Sequence, residues 1–310
     1  MAAAASCALP KVAVVGAGTM GAGIAGVFAA AGYPVALFSR SDATLNAAKA
    51  QIIASCPEAK IDATTSVADC VRDAGIVSEN VAENLDLKRM IFAEIELCAA
   101  PDALLTTNTS SVPISMIAAD LQQPERLVGL HWFNPAGVMP LIEIVRGART
   151  SDATIDGARA LCMAIGKETI EIIQEVPGFV VNRLQYALLR EALHLVESGV
   201  ATRDDVDRAV KTTLAPRWSA MGPLRLMDLA GLDTVEKVAA ILMPALCNST
   251  VVPPLVAHLV ADGALGAKAG RGFYDWTAEG VAAARDTRDG IVRLLSATHN
   301  TQNSKGIACD

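Results

Sequence analysis

Nowhere does this chain offer the roughly 20 uninterrupted apolar residues that a helix needs to cross a bilayer. The nearest approach runs without charge from Val12 through Ser39. Gly16, Gly18, Gly21, Gly23, Gly26, Gly32 and Pro34 break it where a strand, turn, helix, turn and second strand would need them, so a membrane span is not expected. The opening Met1-Ala2-Ala3-Ala4-Ala5 has neither a basic segment nor a long apolar core, so no secretory leader is expected and a cytoplasmic setting is. C-x-x-C pairs are lacking too. The seven cysteines, Cys7, Cys56, Cys70, Cys98, Cys162, Cys247 and Cys309, are odd in number and dispersed, which excludes a disulfide framework or a zinc centre as the organising feature. A basic face is missing: net charge is −7 with Lys and Arg scattered, which argues against a nucleic-acid partner. No repeat or low-complexity segment stands out, and the polar stretch Ser296–Asp310 is expected to fray.

What is present suits an enzyme of two domains. With 310 residues, 52% of them hydrophobic and 19% charged, the chain can bury two cores. Val12-Ala13-Val14-Val15 reads as a short strand, Gly16-Ala17-Gly18-Thr19-Met20-Gly21 follows, and a small-residue helix continues to about Ala31. This spacing is a dinucleotide fingerprint. Gly16 permits a tight turn, Gly18 a close approach of pyrophosphate, and Gly21 close packing of helix on strand, while the helix N-terminus, from Thr19 and Met20, faces the phosphates. A second strand at Val35-Ala36-Leu37-Phe38 arrives at βαβ distance. Further strands are expected at Ala74–Val77, Ala103–Thr106, Leu127–Leu130 and Ile142–Val145, with helices over Asp86–Ala99 and Asp152–Ile165. The alternation predicts an α/β fold, a Rossmann-like doubly wound parallel sheet over residues 1–177. From Phe179 the apolar spacing turns helical, and residues 178–310 are expected to form a mainly α-helical second domain for substrate binding and dimerisation.

His131 and Glu143 are the candidate catalytic pair. Glu143 lies in the apolar run Leu141-Ile142-Glu143-Ile144-Val145, where a lone acid is expensive unless partnered. A histidine is the natural partner. Glu143 would fix the imidazole tautomer and leave the other ring nitrogen free to take a proton from a substrate hydroxyl; the alternative is a structural histidine beside a Pro turn. His194, His258 and His299 read as structural or exposed.

In order along the chain, the glycine fingerprint is followed by Val81-Ala82-Glu83-Asn84-Leu85, Asn108-Thr109-Ser110-Ser111 and His131-Trp132-Phe133-Asn134-Pro135. Pro177-Gly178-Phe179-Val180-Val181-Asn182-Arg183, Met221-Gly222-Pro223-Leu224 and Gly270-Arg271-Gly272-Phe273-Tyr274 complete the set. By this set the sequence resembles the 3-hydroxyacyl-CoA dehydrogenase family from Val12 to Trp276. The resemblance implies an NAD(P)-dependent oxidoreductase acting on a short 3-hydroxyacyl thioester such as 3-hydroxybutyryl-CoA, working as a homodimer. It implies His131 as general base, Glu143 as its orienting partner, and Ser110 and Asn182 gripping the hydroxyl and thioester oxygens, with Asn134 beside them. Glu83, Lys88 and Asn108 would line the nicotinamide pocket. Read from the residues alone, Ser110 and Asn182 could instead cap helices.

Three departures from the family pattern carry expectations of their own. Where the family places an acid for the adenosine ribose, this chain has Ser39-Arg40-Ser41, which could hold a 2′-phosphate and leans the cofactor toward NADP, while Asp42 keeps NAD open. Between Arg40 and the strand near Thr64 only one helix fits, without the long hairpin that grips CoA in longer relatives. The acyl group could therefore arrive on an acyl carrier protein, or as a free acid as in gulonate or carnitine dehydrogenases. Arg217-Trp218, just before the Met-Gly-Pro turn, offers a guanidinium to such a carboxylate, or else a plain surface ion pair.

Overall fold

The structure, a computed structural model, describes residues 9–304, with side chains to residue 298. Met1–Ala5, Cys7 and Cys309 lie outside the described residues, as does the His299 side chain. The first compact unit ends at Asn182 and the second begins at Arg183.

In the first unit, β1 (Lys11–Val15), α1 (Thr19–Ala30), β2 (Val35–Phe38), α2 (Asp42–Ser55) and β3 (Ile61–Thr64) form one half of a doubly wound fold. The other half is α3 (Val67–Val71), β4 (Ala74–Glu79), α4 (Leu85–Cys98), β5 (Leu104–Thr107), α5 (Ile114–Ile117) and β6 (Leu127–Trp132). Then come β7 (Leu141–Val145), α6 (Asp152–Ala164) and β8 (Glu168–Ile172). The sheet runs β3-β2-β1-β4-β5-β6-β7-β8. Its central strands are apolar on both faces because helices cover both. Val12, Val14, Phe28, Leu130 and Trp132 pack on one side, and Ala13, Val15, Phe92, Leu105 and Leu127 on the other.

The sheet is the expected doubly wound one, parallel but for a single strand pair. β7 pairs antiparallel with β6, and β8 runs parallel to β7. Only residues 133–140 join β6 to β7, and a parallel return needs a crossover of a dozen or more residues. β8 went unforeseen because Glu168-Thr169-Ile170-Glu171-Ile172 has only two apolar residues, on an edge strand that stays largely half-exposed. Between β2 and β3 there is a single helix, α2, and no hairpin.

The second unit is helical: most of α7 (Val181–Glu197), then α8 (Arg203–Ala209), α9 (Ala215–Ala230), α10 (Leu232–Leu242), α11 (Pro254–Ala261) and α12 (Ala278–Ser304). The Met221–Leu224 motif kinks α9: Gly222 has φ 71° and ψ 169°, and Pro223 brings no N–H to the helical ladder. Gly270–Tyr274 folds into a tight bridged turn in which Gly266 N–H donates to Arg271 O (2.7 Å) and Trp276 N–H to Gly270 O (2.8 Å). The tail expected to fray from Ser296 is instead helical as far as Ser304, a continuation of α12. Among the described residues no helix is long and apolar enough to cross a membrane.

Candidate active site

The turn between β1 and α1 has the backbone its glycines were read for. Gly16 sits at φ 111°, and a Cβ there would lie 2.6 Å from Asn80 O. A Cβ on Gly21 would lie 1.7 Å from Gly16 O, so the turn and the helix can meet only if both residues lack side chains. At Gly18 a Cβ would meet nothing within 4 Å. The helix start is equally open. α2, α4 and α6 are capped by Ser41, Asn84 and Ser151, whereas α1 begins at Gly18 with no side-chain cap and no acid in its first turn. Its first N–H groups and the positive end of its dipole are left for an anion, which fits a dinucleotide pyrophosphate. At the end of β2, Ser39 Oγ accepts the Ser41 N–H (3.4 Å), Ser41 caps α2, and Arg40 is exposed.

The reversal of β7 brings the candidate pair together. In the antiparallel register His131 stands directly opposite Glu143, and opposed residues of such a pair project to the same face about 4.5–5.5 Å apart at Cβ. The rings and carboxylate therefore meet without any loop to align them. His131 Nδ1–H donates to Glu143 Oε2 at 2.6 Å, with the carboxylate side chain fully buried. The other oxygen, Oε1, accepts the N–H groups of Val180 (3.0 Å) and Val181 (2.9 Å), where the chain enters α7. Burial pushes the Glu143 carboxyl up, but the hydrogen bonds from His131, Val181 and Val180 outweigh it and hold it below the usual carboxylate range. It is a true carboxylate, able to fix the imidazole with Nε2 free for substrate. Phe133 and Phe179 meet the His131 ring at 4.6 and 5.4 Å between centroids, enclosing it in apolar walls.

A cavity of about 360 Å³ brings His131, Ser110, Asn108, Asn134 and Asn182 together with Met20 and Glu83. Ser110 caps no helix: α5 starts after Pro113, and the Ser110 backbone is held by Glu83. Asn182 lies in the first turn of α7, where Glu143 already takes the two preceding N–H groups. Asn108 Oδ1 accepts the Trp132 N–H at 3.1 Å, tying the ends of β5 and β6. Glu83 lines the cavity but spends Oε1 on Thr109, Ser110 and Ser111.

Lys88 is paired inside the protein. Its side chain is fully buried, with Nζ 3.0 and 2.9 Å from the two Glu79 oxygens, and it does not line the cavity. A helix start placed Lys88 on the inward face of α4, against the only acid of β4. Glu79 was missed, although the reasoning that found Glu143, a lone acid in an apolar strand, applies equally to Ile76-Val77-Ser78-Glu79. Arg217 belongs to the second unit, exposed on α9, where its Nε–H donates to Thr213 O at 2.9 Å.

With the geometry in place, known proteins decide the family. The model for the 3-hydroxyacyl-CoA dehydrogenase NAD binding domain matches residues 11–176, and that for the 3-hydroxyacyl-CoA dehydrogenase C-terminal domain matches residues 178–276. The chain belongs to the 3-hydroxyacyl-CoA dehydrogenase family. It is an NAD-dependent oxidoreductase acting on a CH–OH group, and its fold is the Rossmann-like domain followed by a helical domain. Among curated family relatives, 3-hydroxybutyryl-CoA dehydrogenase of Mycobacterium tuberculosis is 39% identical over 87% of this chain and 99% of its own. The 5-formyl-3-hydroxy-2-methylpyridine 4-carboxylate 5-dehydrogenase of Mesorhizobium japonicum is 34% identical over 90% of this chain and 94% of its own. A solved structure of a dehydrogenase for that pyridine substrate, an NAD+-dependent dismutase, superimposes with a TM-score of 0.85 over 96% of this chain and 99% of its own, at 32% identity. The (S)-3-hydroxybutyryl-CoA dehydrogenase of Ralstonia eutropha superimposes with a TM-score of 0.71 over 87% of this chain and all (100%) of its own, at 34% identity.

Proposed function

We propose that this dehydrogenase interconverts a short 3-hydroxyacyl thioester, of the 3-hydroxybutyryl-CoA kind, and its 3-oxoacyl form. The observation that carries the reading is the His131–Glu143 pair, set opposite in register and joined at 2.6 Å. Bound NAD supplies the hydride acceptor. His131 Nε2 takes the hydroxyl proton as the alcohol carbon is oxidised, and Glu143, fixed by the Val180 and Val181 N–H groups, holds the Nδ1–H tautomer and stabilises the imidazolium that forms. In the reverse direction the imidazolium donates. Ser110 and Asn182 hold the 3-oxygen and the thioester oxygen, and Asn134 stands at the same wall. The fingerprint residues Gly16 to Gly21 carry the pyrophosphate, and Ser39 and Arg40 the adenosine end, where the exposed guanidinium would also accept NADP.

The division of labour follows the chain: residues 1–177 bind cofactor and hold the dyad, residues 178–310 complete substrate binding and dimerise. Exposed apolar side chains of the helical unit, among them Leu224 (83%) and Ile241 (74%), support a homodimer, which light scattering would test. A cytoplasmic setting suits a thioester substrate.

A second reading has an observation of its own. The pyridine-carboxylate relative matches over 96% of this chain, and α2 stands alone where a CoA-gripping hairpin would extend. A free carboxylic acid, or an acyl group on a carrier protein, is then the substrate, with Arg217 offered to the carboxylate. NADH oxidation with acetoacetyl-CoA is the deciding assay. Turnover supports the thioester reading; its absence, with turnover of a free oxo or formyl acid, overturns it.

A further inference from the structure

The connection over residues 133–140 reverses the sheet and carries Asn134 on the wall of the cavity that holds His131. Within it Pro135 O accepts the N–H groups of Val138 and Met139, both at 3.0 Å, so the chain makes one tight turn. The carbonyls that follow Pro135 need partners from elsewhere, and Ala136 is buried away from water. Lys167 supplies them: its Nζ–H groups donate to Ala136 O and to Met139 O, each at 2.7 Å. Lys167 is only 9% exposed, and its Nζ stands 5.8 Å from the centroid of the Trp132 ring. The chain brings it there by the way α6 ends. Gly166 is left-handed (φ 71°), its N–H meets Met163 O at 3.0 Å, and the Lys167 N–H turns back to Cys162 O at 2.8 Å. Glu168, the first residue of β8, then donates its N–H to Pro140 O at 2.9 Å, at the exit of the same connection. The loop also lies against α1, where a Cβ on Gly23 would come within 3.3 Å of Ala136 Cβ. An ammonium in this setting is costly, and burial pushes the Lys167 amine below its usual value. Lys88 meets a carboxylate in its buried place; Lys167 meets two carbonyls of one loop, by charge-assisted hydrogen bonds.

We infer that Lys167 is a positioning residue for the active site: by clamping the β6–β7 turn through the carbonyls of Ala136 and Met139, it holds Asn134 at the cavity wall beside His131. Lys167 does not itself line that cavity, so it acts through the loop. The inference rests on the proposed reaction, which takes place in the same cavity. Its mechanical content is that the ammonium replaces the hydrogen bonds that a turn this short cannot make within itself. Without the ammonium, residues 136–139 keep the two N–H bonds to Pro135 O but lose the tie to the end of α6, and Asn134, next to Pro135, loses its fixed place.

The test is a double-mutant cycle between Lys167→Met and Asn134→Ala, read as kcat and KM for acetoacetyl-CoA at saturating NADH, with thermal unfolding followed alongside. Lys167→Met keeps most of the aliphatic stem and removes the donors. It is expected to lower kcat about tenfold or more while KM changes by less than about threefold, at a temperature where the variant is folded. In the Asn134→Ala background the same substitution should lower kcat by less than about threefold, because the side chain it would misplace is already gone. Amide exchange at Val138 and Met139 should quicken in Lys167→Met, with that over residues 12–21 unaltered. A folded Lys167→Met that melts earlier but turns over like the wild type would overturn the inference, since the clamp would then serve stability alone. Additive effects of the two substitutions would overturn it as well. Should Lys167→Met fail to fold, Lys167→Gln, which keeps an amide donor and gives up the charge, goes through the same cycle with the same outcomes deciding. Lack of turnover by the wild type would instead count against the proposed reaction, and the exchange readout, which needs no substrate, keeps the two failures distinct.

Discussion

At the scale of single residues, the proposed reaction would depend on one short hydrogen bond, between His131 and Glu143. His131→Ala removes the proton acceptor and is expected to reduce turnover by about two or more orders of magnitude with the fold intact. Glu143→Gln is expected to lower it comparably, because an amide can present N–H to Nδ1 and so favour the wrong tautomer. Near-wild-type turnover by either folded variant would end the acid/base assignment. Glu143 also makes a stability prediction with a definite sign. Its native carboxyl is held below the ordinary value of 4.5, so its contribution is complete above that value, declines as pH falls through it, and is gone below the depressed native value. Denaturant unfolding should therefore show the gap between wild type and Glu143→Gln widest near neutrality and closing in acid. Both partners were legible in the sequence because an isolated acid in an apolar strand demands a partner. The burial of Lys88 was not legible because a motif gives a position along the chain and not the direction of a side chain: one face of α4 looks into the protein, and Lys88 is on it. Glu79, its counter-ion, carried the same signal as Glu143.

At the scale of elements, the site is assembled at strand ends and one uncapped helix. The glycines of the β1–α1 turn answer two different needs, and substitution separates them. Gly21→Ala drives a methyl to 1.7 Å from Gly16 O, so it should destabilise by about 1–3 kcal/mol and abolish NADH binding together. Gly18→Ala meets no atom within 4 Å, so unfolding should be nearly unchanged while NADH affinity falls, because the methyl occupies space meant for pyrophosphate. Equal stability losses in the two variants, measured by thermal unfolding, would refute that division. The strand–turn–helix unit could be read from sequence since its signals are local: β-branched run, glycine spacing, small-residue helix. The reversal at β7 could not be read from periodicity, which is the same for parallel and antiparallel strands. Its trace was the short connection over residues 133–140, and without that reversal His131 and Glu143 would not face each other.

At the scale of the whole molecule, the measurements still to be made concern what carries the acyl group, and the feature that bears on it is the connection from β2 to β3. That connection holds only α2. If the nucleotide of CoA is gripped weakly, an acetoacetyl thioester carrying only a pantetheine-like arm should be reduced with a kcat/KM within about tenfold, ~1.4 kcal/mol, of the full CoA ester, since contacts that are not made cannot be lost. An enzyme that uses the nucleotide should lose far more. A free-acid substrate makes a different demand: Arg217 would meet its carboxylate, and Arg217→Met should abolish oxidation of the acid while leaving thioester reduction largely intact. Arg217 is exposed on α9, with its Nε–H donated to Thr213 O. Three substrates on the wild type and this one variant resolve the carrier. A strong preference for the full CoA ester, insensitive to Arg217, would mean that the helical unit and α2 suffice for CoA, and that the short β2–β3 connection is an economy of length without consequence for specificity.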